Sequence, residues 1–436
     1  MTLPPAPVLE IAFEEFLKEL PPDYADLAYE FKAFERARKI KSPAQLLQVA
    51  MMYCGLDQAL RTTAGSFVLL QERITDTAIH RRLKACGPWL KALLHAMLPG
   101  TATASKSFRL LVVDGSSLQG PGAQGTDYRV HFALDLTHMT LHAVAVTGVE
   151  GAESLTRYPW QPGDVVLADR GYNQPRVILE LAERGVRVVV RLIPTAMPLY
   201  LRPAGEERFD PAAPRLDVAA HLRGVAGNLA SVAVWLRGGQ ASGPGWLHAV
   251  RLPPAAADAA RQRCRRTAKR KGWTPSAAAL ELAGWVMVFT TVAPEDLDGA
   301  AALDLYRCRW QVELAFKRLK SLLDLDALRT KRDSRLGEVW ILGKLLYALV
   351  VERHIERRPE RAGDRLDRAR RATPWRVVAL ARRQVDAWIL ETHRWRQDNW
   401  AACLEVLRER PRRRSLQTLP ARVIELMNHK ENQVGA

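Results

Sequence analysis

The sequence predicts an α/β protein: a mixed sheet with flanking helices, interrupted by a partly β insertion and set between helical N- and C-terminal regions. Three observations carry this reading. Between about residues 106 and 194, short Val- and Leu-rich runs alternate with amphipathic segments, the pattern of a sheet covered on both faces. Before residue 106, capping-type residues lead into helical apolar spacing, and after about residue 330 the chain reads as helical again. Between 195 and 284 the chain turns rich in Pro, Gly and Ala, and only short strand candidates appear.

Residues 1–105 read as a helical region. Ser42-Pro43 offers a capping hydroxyl and a proline for the first helical turn, and Thr75-Asp76 marks a second start. Arg81, Arg82 and Lys84 suit a helix-turn-helix-like DNA reader, and equally a plain helical bundle with a solvated basic face. Residues 106–194 form the first part of a strand-rich core. FRLLVVDGSSL is a strand ending in Asp-Gly, and YRVHFALDL and MTLHAVAVTG form a hairpin around Thr137-His138. DVVLADRGY is the next strand, PRVILELAERG an amphipathic helix and RVVVRLI a further strand. Residues 195–284 are a mostly β insertion domain with LASVAVWLRGG and GWLHAVRL as strands. Its basic run, Arg261 to Trp273, reads ordinarily as a solvated loop and more sharply as a phosphate-gripping segment. Residues 285–330 return to the core through the strand GWVMVFTTV and one long helix, and 331–436 form a helical C-terminal region.

Bulk properties narrow the partners. The chain has 436 residues, 64 Lys plus Arg against 47 Asp plus Glu, and a net charge of +17, a balance that favours polyanions through counterion release. A genome that uses Arg and Ala freely gives the same surplus. The five cysteines contain no C-x-x-C pair, so neither a zinc site nor a disulfide framework is expected. The start MTLPPAPVLEIAFEEF lacks the basic-then-apolar pattern of a secretory signal, and the longest apolar stretch, Val339 to Val351, is interrupted by Lys344. No membrane partner and a cytoplasmic protein are the resulting expectations.

The most informative segment is YRCRWQVELAFKRLKS. On a single helix, at ~100° per residue from Tyr306, Arg309 falls near ~300°, Lys320 near ~320° and Glu313 near ~340°. These polar groups share a stripe, beside an apolar one of Val312, Phe316, Leu319 and Leu323 suited to packing on a sheet. A surface helix with an i,i+4 Arg309–Glu313 ion pair explains the same pattern.

Tyr306, Arg309, Glu313 and Lys320 reproduce the Y-R-E-K spacing of the insertion sequence 4 family of DDE transposases, which this chain resembles. VVDGSSL is similar to that family's first-Asp motif, GDVVLADRGY to its second, and YRVHFALDL to the strand between them. The resemblance covers roughly residues 106–325. It implies a ribonuclease H-like core in which Asp114, Asp169 and Glu313 converge as catalytic carboxylates on two Mg²⁺ (or Mn²⁺) ions. Two such ions activate water or a DNA 3′-hydroxyl and stabilise the leaving oxygen. It further implies that Arg309 and Lys320 clamp phosphates, that Tyr306 bonds a terminal phosphate, and that Trp285 stacks on a flipped base. A buried core Trp285 is the competing reading. Asp135 and Asp164 compete for the metal role from the same region.

The expected function is cut-and-paste transposition by a homodimer acting on double-stranded DNA with terminal inverted repeats and on target DNA. Two alternatives stand beside it: a nuclease of the same core that never integrates, and a catalytically inactive DNA-binding derivative.

Overall fold

The computed structural model describes residues 12–98, 109–136, 140–330, 334–356 and 374–407. Among the described residues six helices come first: α1 (Phe13–Leu17), α2 (Tyr24–Glu30), α3 (Pro43–Cys54), α4 (Leu60–Leu70), α5 (Asp76–Leu83) and α6 (Gly87–Met97). Two start where the sequence places them: Ser42 Oγ accepts from Gln45 N and Thr75 Oγ1 from Ala78 N, each at 3.2 Å.

The core follows as β1 (Leu110–Leu118), β2 (Tyr128–Asp135), β3 (Thr140–Gly148), β4 (Val165–Ala168), α7 (Pro175–Glu183) and β5 (Arg187–Arg191). The expected hairpin pairs as β2 with β3, antiparallel; its turn at Thr137-His138 lies outside the described residues. The insertion supplies β6 (Leu199–Leu201), α8 (Val218–Arg223), β7 (Leu229–Gly238), β8 (Ala241–Arg251), α9 (Pro254–Arg270) and α10 (Ala277–Leu282). Then come β9 (Trp285–Thr290), α11 (Gly299–Arg307), α12 (Trp310–Leu323), α13 (Arg335–Glu356), α14 (Pro374–Leu390) and α15 (Trp400–Leu407).

All nine strands of the described residues join one sheet in the order β3-β2-β1-β4-β5-β9-β8-β7-β6. Strands β1, β4 and β5 run parallel, with β2 and β3 antiparallel on one flank, the ribonuclease H-like arrangement. The strands of the insertion continue that sheet through β9, which pairs with β5 on one side and β8 on the other.

Alternate residues of each strand feed two cores. Val112, Leu167, Val189 and Val288 pack on one face with α12, α13 and the N-terminal helices; Leu111, Val113, Val166 and Val188 pack on the other with α7. Helix α13 is the hub of the first core, touching α6, α3, α14 and α12. Its one buried ammonium, Lys344, donates to Gly55 O at 2.9 Å and pairs with Asp57, so the apolar helix carries a satisfied charge.

The segment read as one helix from Tyr306 to Lys320 is two. Cys308 and Arg309 keep right-handed helical angles, but Arg309 N bonds Tyr306 O, Gln311 N bonds Cys308 O and Val312 N bonds Arg309 O. These three-residue closures tighten the chain between α11 and α12. The apolar stripe of α12 is buried as expected at Val312, Phe316, Leu319 and Leu323. The basic run from Arg261 is not a loop: α9 starts with a proline in its first turn and continues through Ala, Gln and Arg, all strong helix formers.

Candidate active site at the ends of the central strands

The parallel register sets the site. Leu110 pairs with Val165 and Val112 with Leu167, so two residues further on Asp114 stands level with Asp169. Ala168 pairs with Val190, which brings Asp169 level with Arg191. All three take the face of Val112, Leu167 and Val189, where α12 packs.

Helix α12 is pinned there by aromatic contact. The Phe316 ring stacks on Phe132 with centroids 4.3 Å apart and planes 11° apart, and Phe132 is the pairing partner of Asp114. Glu313 lies about one turn before Phe316 and faces the strand aspartates. Arg309 stands between them: its guanidinium is 3.5 Å from Asp114 Oδ2 and bonds Glu313 Oε1 directly. Tyr306, at the end of α11, is buried; burial first raises its pKa, and the Arg309 and Arg191 guanidiniums pull it back. Lys320 sits in the last turn of α12, about 10 Å beyond Glu313 along the axis.

The aspartates differ in support. Asp114 Oδ1 accepts from Gly115 N at 2.8 Å, and Asp169 Oδ1 accepts from Gly171 N at 2.7 Å. Burial foremost pushes Asp114 up to about 6, with Asp169 and Glu313 adding to the rise and Gly115 N–H and Arg309 opposing it. Among the described residues no three metal-ligating side chains are already gathered into a cluster. Arg309, wedged between Asp114 and Glu313, accounts for that spacing physically. The chemistry of the donor set, all carboxylate oxygens, suits a hard divalent cation.

The competing acids are placed elsewhere. Asp164 is a clasp: Arg109 donates to it at 2.7 and 2.8 Å and Gln161 N at 2.7 Å. Asp135 pairs with Leu111, toward the opposite end of β1.

Comparison with known proteins decides the family. The model of the transposase DDE domain matches residues 105–349, more than half of the chain. The transposase for insertion sequence element IS421 of Escherichia coli is 31% identical over 332 residues, covering 73% of this chain and 87% of that protein. InsL of insertion sequence element IS186A from Escherichia coli strain K12 is likewise 31% identical, over 331 residues. The chain belongs to the DDE transposase family. DNA cleavage and strand transfer are the general activity of that family, its members act on DNA with inverted repeats, and they use divalent metal ions.

Within this transposase the strand aspartates, Glu313, Arg309 and Tyr306 come together. Trp285 does not join them. It is 4% exposed in the core on the opposite face of the sheet, with the Arg251 guanidinium 4.4 Å from its ring centroid.

Two neighbours of the site were missed in the sequence. Arg191, half-buried, is held below the usual arginine range by burial first and by the charge of Arg170, while Tyr306 and Asp169 oppose the shift. Its only sequence signal is that it ends RVVVR level with the second aspartate, which requires strand register to see. Glu153, in the loop after β3, feels the charges of both Asp169 and Asp114.

Proposed function

We propose that this transposase excises and inserts a DNA element, with Asp114, Asp169 and Glu313 as the ligands of two Mg²⁺ or Mn²⁺ ions. The observation that carries this reading is the level placement of Asp114 and Asp169 on adjacent strands beneath the helix that bears Glu313. Bound ions would activate the attacking oxygen and stabilise the departing one. The chain's own groups do the rest. Arg309, Arg191 and Arg170 surround the carboxylates with positive charge and would take up scissile-strand phosphates, Arg309 by turning from its carboxylate partners to a phosphate. Tyr306 would donate its hydroxyl to a terminal phosphate, and Lys320 would meet the backbone further along. Trp285 is left out of this set because its ring is covered on the far face.

Helix α9 adds a second contact. Only Ala257 and Ala268 of it are buried, while Arg263, Arg265, Arg266, Lys269 and Arg270 are exposed, as a grip on DNA phosphates requires. The active form would be a homodimer joined on paired ends and target DNA, in the nucleoid of a bacterial cell. Among the described residues no helix is long and apolar enough to cross a membrane.

The test is a donor plasmid carrying the inverted repeats that flank the coding region. Wild type should release the element and join its 3′ ends to a target. Asp114→Ala, Asp169→Ala and Glu313→Ala should still shift end DNA in a gel yet leave the donor uncut. Near-normal nicking by any one of them removes that residue from the site, and release without any joined product turns the reading to a nuclease.

A further inference from the structure

A fourth carboxylate stands beside the two strand aspartates. Glu153 lies between β3 and a short 3₁₀ turn at Leu155–Arg157. The link is braced on both sides: Glu153 O accepts from Gln174 Nε2 at 2.8 Å, and Arg157 donates back to Ala152 O at 2.8 and 2.9 Å. Leu155 is fully buried and anchors the turn.

From this link the side chain reaches the glycines that follow the aspartates. Glu153 Oε2 lies 1.9 Å, and Asp169 Oδ1 3.1 Å, from the point that a Cβ on Gly171 would occupy. Glu153 Oε1 lies 3.0 Å from the same point on Gly115. Both glycines therefore hold open the space that the carboxylate fills, and a side chain at Gly171 would expel it.

As it stands the placement is unfavourable. Glu153 is half-buried, with its carboxylate beside Asp169 and next to the glycine that follows Asp114. Among the described residues no Lys or Arg forms an ion pair with it. Like charges held this near disfavour their common ionised state. A divalent cation reverses the sign of the problem, because hard cations collect several carboxylate oxygens.

We propose that Glu153 is a fourth carboxylate of the divalent-cation site, on the Asp169 side, seated by the bare backbone of Gly115 and Gly171. This rests on the reading of Asp114 and Asp169 as cation ligands. Its consequence is that cation affinity itself depends on Glu153 and on the absence of a side chain at Gly171.

The full chain without DNA, titrated with Mn²⁺ and followed by the electron paramagnetic resonance of the free ion, tests it apart from turnover. Wild type should bind, and Asp169→Asn should lose binding. Glu153→Gln should weaken it by about tenfold or more. Gly171→Ala, which keeps every carboxylate, should weaken it as well. Thermal melting without metal checks folding, and Glu153→Gln should melt no lower than wild type. If Glu153→Gln binds Mn²⁺ as tightly as wild type while Asp169→Asn does not, Glu153 is no part of the site and the aspartates keep their role. If Gly171→Ala alone binds normally, the seating by bare backbone is wrong. A wild type that takes up no Mn²⁺, or an Asp169→Asn that binds as well as wild type, overturns the underlying reading instead.

Discussion

Each end of the paired strands β1 and β4 holds an aspartate, one buried and one partly buried, and the two ends treat it in opposite ways. At the start of β4, Asp164 is 2% exposed and receives two bonds from Arg109 and one from Gln161 N. At the other end, Asp114 has one backbone donor and an arginine 3.5 Å away, and its burial outweighs both. Asp169 and Glu153 beside it have no ion pair among the described residues. A carboxylate matched by the chain holds the fold. Carboxylates that the chain leaves partly unmatched, crowded together at strand ends, are the groups from which the proposed cation site would be built.

The largest effects should separate the two ends by kind. Asp114→Ala should cut the rate of donor cleavage by roughly 10²–10³ or more while the protein stays folded. Asp164→Ala should instead leave the partly buried Arg109 without its partner and cost about 3–5 kcal/mol of stability, since the buried half of the pair is removed. Denaturant melts and single-turnover cleavage on both variants read this directly. A fall in stability for both, with equal rates per folded molecule, breaks the contrast.

Next comes the helix that carries Glu313. Phe316→Ala removes the ring stacked on Phe132 and should cost about 3–5 kcal/mol. Phe316→Leu should cost less and still lower cleavage, because Glu313 sits one turn from the position where the ring stacked. Unchanged cleavage by the leucine variant would separate that packing from catalysis.

A smaller effect follows from pH. In the metal-free protein Asp114 titrates at about 6 against an ordinary 3.8, so the folded state favours its protonated form. Its contribution to stability is present below pH ~4 and is lost as pH rises through ~6. Asp114→Asn should therefore stabilise the metal-free chain at pH 7–8, on the order of 1–3 kcal/mol, and change little at pH 4. His131 gives the opposite slope. Burial foremost, with Arg157 and Arg129 adding to it, holds it down to about 4, so its contribution is lost as pH falls from ~6.5 toward ~4, and His131→Gln should flatten that acid limb. Melting temperatures across pH 4–8 with chelator present check both.

The smallest effect concerns α9. Neutralising Arg263, Arg265, Arg266 and Lys269 should lower the salt dependence of end binding, by about 0.9 in logarithmic slope for each phosphate that the helix no longer neutralises. An unchanged slope would make the helix a solvated arm.

Much of this was legible in the sequence, and the omissions share a cause. The motifs around Asp114 and Asp169 and the stripe of Val312, Phe316, Leu319 and Leu323 are local patterns, and they fold as local patterns do. The break at Cys308 and Arg309 was invisible because three-residue and four-residue closures leave the same apolar spacing. Arg191 becomes a neighbour of Asp169 only through strand pairing, and Glu153 only through a loop that fits between two glycines. The union of β7 and β8 with the core sheet depends on β9, which arrives after α9 and α10. The helix-forming Ala, Gln and Arg of α9 are a local signal too, masked by the density of positive charge, which suits a solvated loop as well.

Anomalous diffraction from Mn²⁺ in the transposase bound to its end DNA tests the unmatched carboxylates most directly. The expected result is Mn²⁺ peaks between Asp114, Asp169 and Glu313, with Arg309 swung from Asp114 onto a phosphate. Manganese bound elsewhere while Arg309 still bridges Asp114 and Glu313 against the scissile strand would contradict it.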